Sequence, residues 1–254
     1  MEYGLIGKTL VHSYSRIIHG LIGDYDYELV SLPPEELDRF MDEKNFKGIN
    51  VTIPYKQDVM SYCSEITDRA AKIGSVNTIV NREGRLLGHN TDYDGFIAMA
   101  ERAGISFAGS KVLILGSGGT MLTASAAAAD KGASDITVVS RKGPVTYACL
   151  PDYYHYDILI NTTPVGMFPK TEECPVEPEY FTNLRGVLDV IYNPLQTKLV
   201  KRARALGIPA ANGLYMLVVQ AVKANELFFD RTLSQDVYEK IYRIFSENVC
   251  KCQE

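Results

Sequence analysis

The stretch GINVTIPYK (residues 48–56) is apolar and β-branched, stops at Pro54 and presents Lys56 two positions later. A buried strand has no need of a cation at its exit, so Lys56 asks for a partner. GHNTDYDGF (88–96) offers Asp92, at a junction where a strand gives way to a helix. In a parallel sheet the carboxyl ends of the strands gather on one edge, where ligands bind. A lysine beside an aspartate on that edge, shielded from water, can pass a proton to or from a substrate oxygen while a hydride moves elsewhere, which is alcohol–ketone chemistry. The same two residues could equally form a structural ion pair, and spacing alone leaves both readings open.

A hydride needs a carrier. Residues 110–143, SKVLILGSGGTMLTASAAAADKGASDITVVSRKG, read as a strand (112–115), a glycine turn (Gly116, Gly118, Gly119), an alanine-rich helix ending near Gly132 and a second strand (136–139). Glycines there let a backbone approach a pyrophosphate, which then sits on the helix N-terminus and its partial positive charge. The alternative is an ordinary tight turn between strand and helix. An NAD site places an acid at the end of the second strand to accept from the ribose 2′-hydroxyl. This chain places Ser140, Arg141 and Lys142 there. Two cations and a hydroxyl suit the 2′-phosphate of NADP, with a solvated basic loop as the competing reading.

The elements that must position these residues alternate along the chain. YGLIG, YELVSL and GINVTI are separated by helix-like segments, YSRIIHGLI and PPEELDRFMDEK, which is the pattern of β/α repeats on a mostly parallel sheet. SVNTIVNREGRLLGHNTD differs: two alternating runs flank Arg82, Glu83 and Gly84, a hairpin signal. A helix is expected to start near Asp92, capped by its carboxylate, with Phe96, Met99, Ala100 and Ala103 on one face. GISFAGS (104–110) is the expected joint between two domains, and DILINTT and GVLDVIY extend the second sheet.

Composition narrows the partners. A chain of 254 residues, 46% hydrophobic, can bury a sizeable core and make two compact domains. The net charge of −5 offers no basic excess for nucleic acid, and no apolar run approaches a membrane span. The N-terminal residues lack the pattern of a secretory signal. The five cysteines, Cys63, Cys149, Cys174, Cys250 and Cys252, are an odd number at irregular spacing, which fits a reducing compartment and argues against disulfides. Small molecules in the cytoplasm are the expected setting. None of His12, His19, His89 and His155 has metal-site spacing or a nucleophile to activate, so no metal is expected.

The chain resembles shikimate dehydrogenases along almost its whole length, through HSYS (12–15), NVTIPYK (50–56), SVNT (75–78), GHNTDYDGF (88–96), GSGGT (116–120), NTTPVGM (161–167), DVIYNPLQT (189–197) and NGLYMLVVQA (212–221). The resemblance implies an α/β protein: an N-terminal mixed, mostly parallel substrate domain and a Rossmann-like NADP-binding domain with a cleft between them. It implies residues 1–103 for the first, with the C-terminal helix (232–254) packing back onto it, and 104–231 for the second. The implied activity is NADP-dependent reduction of 3-dehydroshikimate to shikimate, by a monomer or homodimer.

Position by position, the resemblance implies Lys56 and Asp92 as the catalytic residues and Ser13 and Ser15 as hydroxyls on the substrate carboxylate. It implies Thr52, Asn77, Asp92 and Gln220 on the ring hydroxyls and Tyr192 as a further pocket contact. Gly213 and Met216 fall where the family approaches the nicotinamide, and Gly116, Ser117, Gly118, Gly119, Ser140, Arg141, Lys142 and Thr162 in its other cofactor-binding stretches. Blander roles compete at some of these: a helix cap for the serines, hairpin support for Asn77, a solvated helix face for Gln220. Departures are Thr9 and Arg16 where the family favours proline, Met121 and Leu122 in place of small, often basic residues, and the absence of tryptophan. A quinate-preferring, NAD-dependent enzyme and a non-catalytic sensor are the alternative functions.

Overall fold

The computed structural model describes residues 1–10 and 13–251, with side chains through residue 247. By contacts the chain splits into two compact units, Met1–Asp94 with Val218–Glu247, and Gly95–Leu217 with the residues from Asn248 on.

The first unit is built on a six-stranded sheet. Its elements are β1 (Tyr3–Gly7), α1 (Ser15–Ile22), β2 (Glu28–Ser31), α2 (Leu37–Glu43), β3 (Gly48–Val51), β4 (Glu65–Ile66), α3 (Asp68–Ile73), β5 (Thr78–Arg82) and β6 (Arg85–His89). The strand order is β2-β1-β3-β5-β6-β4. β1 runs parallel to β2 and β3, β4 runs parallel to β6, and β5 is antiparallel to both its neighbours. All of β1 and β3 is buried, as a near-continuous apolar run in a covered sheet requires. The hairpin between β5 and β6 turns where the sequence predicts. Glu83 (φ 54°) and Gly84 (φ 86°) both take left-handed backbone, and the Asn81 side chain closes the turn by accepting from Gly84 N at 2.8 Å. Asn81 also donates to the carbonyls of Lys44 and Phe46, pinning the hairpin to the chain between α2 and β3.

α4 (Asp92–Arg102) leads into the second unit, whose elements are β7 (Lys111–Leu115), α5 (Gly119–Asp130), β8 (Asp135–Val139), β9 (Ile158–Asn161), β10 (Gly186–Asp189), α6 (Lys198–Ala205) and β11 (Ala210–Ala211). All five strands are parallel, in the order β11-β10-β9-β7-β8. α5 lies on this sheet through Ala124, Ala127 and Ala128, which have no accessible surface. α7 (Leu214–Phe229) and α8 (Gln235–Lys251) complete the chain. In the first unit Phe245 of α8 is buried against Tyr14, ring centroids 5.4 Å apart. Residues 104–110, the expected joint, form the turn ahead of β7.

Candidate functional site

Lys56 is held by its neighbours rather than by a regular element. After β3 the chain turns, Tyr55 N donating to Thr52 O at 3.0 Å. Tyr55 is buried and its hydroxyl donates to Leu32 O at 2.5 Å, while Val76 N donates to Lys56 O at 2.8 Å. With the backbone clamped on both sides, the side chain reaches Asp92: Nζ lies 2.5 Å from Oδ2, and the two side chains are only 14% and 11% exposed.

Asp92, expected as the cap of α4, is its first residue and turns Oδ2 to Lys56. Asn90 serves the start of the helix: its Oδ1 accepts from Tyr93 N at 3.1 Å and its Nδ2 donates to Ser75 O at 2.8 Å. Two Asx side chains compete at this junction. The one outside the helix has the geometry to reach back to its amides, and the other can turn to the lysine. The result is a proton donor against an acceptor, both largely withdrawn from water, with the positive end of a helix beside the carboxylate. An oxygen brought to Lys56 Nζ could take or return a proton there.

Asn77 joins the same region. It is buried, its Oδ1 accepts from Thr91 N at 2.7 Å, and its Nδ2 donates to Thr91 Oγ1 at 3.0 Å. Asn77 therefore fixes the residue next to Asp92, and one Nδ2 hydrogen remains for another acceptor. Thr52 follows β3, half-buried, with its amide on Ile6 O at 2.9 Å. A side chain on Gly7 would come within 2.5 Å of the Thr52 methyl, so glycine at that position makes room for it. Ser13 and Ser15 sit at the start of α1. Ser13 Oγ accepts from Ser15 N at 3.3 Å, a local bond ahead of a helix whose N-cap residue is Tyr14. Ser15 is buried, and Gln220 is half-buried on α7.

In the second unit the glycine turn has the stereochemistry it was read for. Gly116 has φ +111°, and a Cβ there would fall 2.6 Å from Thr162 Oγ1. Thr162 itself donates to Leu115 O at 2.7 Å, bracing the turn. Gly118 faces open space, Ser117 is exposed, and α5 starts at Gly119 with no side-chain cap and no acid in its first turn. Uncapped amides at the end of a twelve-residue helix, reached past glycines, suit a phosphate. Met121 and Leu122 are half-buried on that helix. At the end of β8, Ser140 is buried with its amide on Val145 O at 3.1 Å, and Arg141 and Lys142 are exposed. The dinucleotide therefore fits the residues present: backbone amides for a pyrophosphate, then a hydroxyl and two cations at the strand end.

The loop after β10 carries half-buried Tyr192. Asp189 anchors it: Oδ1 accepts from Asn161 Nδ2 and Ile191 N, both at 3.1 Å, and Oδ2 accepts from Thr197 Oγ1 at 2.6 Å. Burial pushes the Asp189 carboxyl up to about 6 against these hydrogen bonds. Gly213 donates to Ile191 O at 2.9 Å, and a Cβ on it would lie 2.0 Å from Val190 O, so this residue must be glycine. Met216 is buried one turn into α7.

The histidines do not enter. His19 is fully buried with its Nδ1 on the Tyr25 hydroxyl and its ring stacked on Tyr27, centroids 3.8 Å apart. Burial lowers its pKa to about 3, so it stays neutral. Burial also lowers His89, which is half-buried. His155 packs its ring beside Tyr156. His12 and Cys252 lie outside the described residues, as do the side-chain surroundings of Cys250. Cys63, Cys149 and Cys174 are free thiols.

Polar residues in and beside the apolar strands escaped the reading of the sequence: Asn50 and Thr78 within β3 and β5, Tyr27 just before β2 and Thr91 just before α4, all buried and linked in a chain that includes Asn77. Asn50 within GINVTI was the visible signal, an amide where the alternation calls for an aliphatic.

Residues 5–79 match the family model of the shikimate dehydrogenase substrate binding domain. A shikimate dehydrogenase (NADP(+)) of Clostridium beijerinckii is 37% identical over 262 residues, covering 96% of this chain and 97% of that one. The solved structure of a chorismate mutase/shikimate 5-dehydrogenase fusion protein from Clostridium acetobutylicum superposes with a TM-score of 0.92 at 37% identity, over 98% of each chain. That of shikimate 5-dehydrogenase from Thermus thermophilus, in complex with NADP(H) and shikimate, gives 0.85 at 27% identity, over 96% of this chain and 98% of that one. With likeness this long in both sequence and fold, the chain belongs to the shikimate dehydrogenase family.

Proposed function

We propose that this protein catalyses the reversible, NADP-dependent reduction of 3-dehydroshikimate to shikimate, an oxidoreductase step on a CH–OH group in the biosynthesis of chorismate and the aromatic amino acids. The observation that carries the reading is the Lys56–Asp92 contact at 2.5 Å, largely shielded from water, in a chain whose relatives are named shikimate dehydrogenase (NADP(+)). When bound, NADPH supplies the hydride for the ketone carbon. Lys56 supplies the proton to the ketone oxygen, so that one hydride and one proton make the alcohol. Asp92 keeps Nζ in place and accepts from a neighbouring ring hydroxyl.

The remaining assignments follow the same division. In the first unit Ser13 and Ser15 take the substrate carboxylate, and Thr52, Asn77 and Gln220 take ring hydroxyls, Asn77 as a donor. In the second, the turn through Gly116, Ser117, Gly118 and Gly119, with Thr162, holds the pyrophosphate. Ser140, Arg141 and Lys142 hold the 2′-phosphate, Gly213 and Met216 meet the nicotinamide, and Tyr192 completes the substrate contacts. We place residues 1–103 and 232–254 in the substrate domain and 104–231 in the cofactor domain; the division by contacts differs in giving 95–103 to the second unit and 218–231, with Gln220, to the first. All these residues come from one chain, so the reading holds for a monomer or a homodimer. Free thiols support a reducing, cytoplasmic setting. Among the described residues, no helix is long and apolar enough to cross a membrane.

An NAD-dependent quinate enzyme and a non-catalytic sensor are less well supported, because the relatives' names specify NADP(+) and Lys56 has its partner. Rates with NADP and NAD, on shikimate and quinate side by side, test the choice. The expected result is turnover of shikimate with NADP above every other combination. Faster turnover of quinate with NAD, or no turnover at all, would replace the reading.

A further inference from the structure

We propose that Asn50 is a positioning residue for Asp92, acting through a buried chain of hydrogen bonds in which both amides have one orientation. The chain runs Tyr27, Asn50, Thr78, Asn77, Thr91, and each member is at most 5% exposed. It spans β3, β5 and the turn that delivers Asp92, and it rests on the assignment of Lys56 and Asp92 to proton transfer.

The orientations follow from groups that have only one role. Asn50 Nδ2 lies 3.3 Å from the carbonyl of Asn77, which can only accept, so that atom is the amide nitrogen and Oδ1 faces Tyr27. The Tyr27 hydroxyl must then donate, at 2.7 Å. Asn50 Nδ2 also donates to Thr78 Oγ1 at 3.0 Å, which frees the Thr78 hydrogen for Asn77 Oδ1 at 3.1 Å. At the far end Thr91 N, which can only donate, reaches Asn77 Oδ1 at 2.7 Å, and Asn77 Nδ2 donates to Thr91 Oγ1 at 3.0 Å. Both ends agree on one orientation of Asn77: oxygen toward Thr78 and Thr91, nitrogen toward Thr91 with one hydrogen left.

Such a chain holds or fails as a unit, because each member left without a partner would be a buried polar group. Removing the Asn50 amide strips Thr78 of its donor, Tyr27 of its acceptor and the Asn77 carbonyl of a contact. The nearest relief is movement of Asn77 and of the turn at Thr91, and that turn carries Asp92. Displacing a reacting group by about 1 Å costs about 10²-fold in rate.

The test is a double-mutant cycle on kcat with shikimate and NADP, using Asn50→Leu and Lys56→Ala alone and combined. Asn50→Leu is expected to lower kcat about 10²-fold in the parent and less than about twofold when Lys56 is already alanine. The KM for NADP is expected to hold. Thr78→Val, nearly the same shape and less disruptive to folding, is expected to show the same pattern at about tenfold. An equal loss in both backgrounds would mean that Asn50 serves the fold at large and overturns the proposal. Normal kcat in Asn50→Leu and Thr78→Val, beside a collapsed Lys56→Ala, overturns it while leaving the proton-transfer assignment standing. A normal kcat in Lys56→Ala overturns both.

Discussion

The two units prepare their ligands by opposite means. In the first, the polar groups around Lys56 are buried and hold one another: Asp92 on Lys56, Thr91 on Asn77, Asn90 on the start of α4. In the second, the residues assigned to the cofactor are mostly glycines or exposed side chains: Gly118, Ser117, Arg141 and Lys142. A triol has to be distinguished by the placement of single atoms, and placement needs side chains with one available geometry. A dinucleotide is held along its length by backbone amides and surface charge, which demand room more than rigidity. Substitutions in the first unit should therefore act steeply on turnover, and those at the cofactor end should act on affinity and respond to salt.

Lys56→Ala is the hardest blow to that contrast. The expected loss in kcat is about 10² to 10⁴, with folding and the KM for NADP nearly unchanged. Steady-state kinetics beside a thermal melt would decide it, and a near-normal kcat would remove the distinction between the two units.

Asp189 sharpens the comparison because it is a second-unit carboxylate that behaves like the first unit's interior. Its folded pKa of about 6 lies above the ordinary 3.8, so the fold favours the protonated form. That contribution is fully present below about pH 3.8 and is lost as the pH rises through about 6, a change of ~3 kcal/mol. Asp189→Asn should flatten the stability profile between about pH 4 and 7 relative to the parent, as read from denaturant midpoints. Identical profiles would show that the carboxyl is not the group responsible.

The serines should separate next. On the proposed assignment Ser15→Ala removes a neutral donor to the substrate carboxylate, with an expected loss of about 1.5 to 3 kcal/mol in kcat/KM for shikimate. Ser13→Ala should add a loss of stability of ~1 kcal/mol, since Ser13 Oγ already accepts from the first amide of α1. If both variants lost stability and kept KM, the hydroxyls would belong to the helix alone.

The smallest effect is expected at the surface. Arg141→Ala should shift the ratio of kcat/KM between NADPH and NADH toward NADH, and the parent's preference should weaken with added salt because Arg141 is exposed. Lys142 beside it limits the change. A ratio that ignores both substitution and salt would mark the Ser-Arg-Lys run as a solvated loop.

How much of this was legible depended on sequence distance. The order of β7, the glycine turn, α5 and β8 was readable because each signal lies within a few residues of the next, and the hairpin at Glu83 and Gly84 for the same reason. The two-residue strands β4 and β11 and the six-residue α3 were not, because pieces so short have no period to detect. Asp92 was expected as a helix cap by residue type; Asn90, two positions earlier, is as good by type, and only backbone geometry brings its Oδ1 to Tyr93 N. Of the polar chain from Tyr27 to Thr91 only Asn50 left a signal, since the links join β3, β5 and the turn before α4 across an apolar core that periodicity reads as uniform.

The alanine face of α5 bears on how such an enzyme can drift. Ala124, Ala127 and Ala128 are buried under α5 together with Thr123, so small side chains set the height of α5 above β7. The helix behaves as a rigid rod with its uncapped amides at one end. A single added methylene on the hidden face lifts that rod and moves the amides with it, far from any atom a cofactor touches. Selection for stronger or weaker dinucleotide binding thus has a route that leaves the binding residues unchanged, and variation on the back of α5 is where a comparison of cofactor affinities should look first.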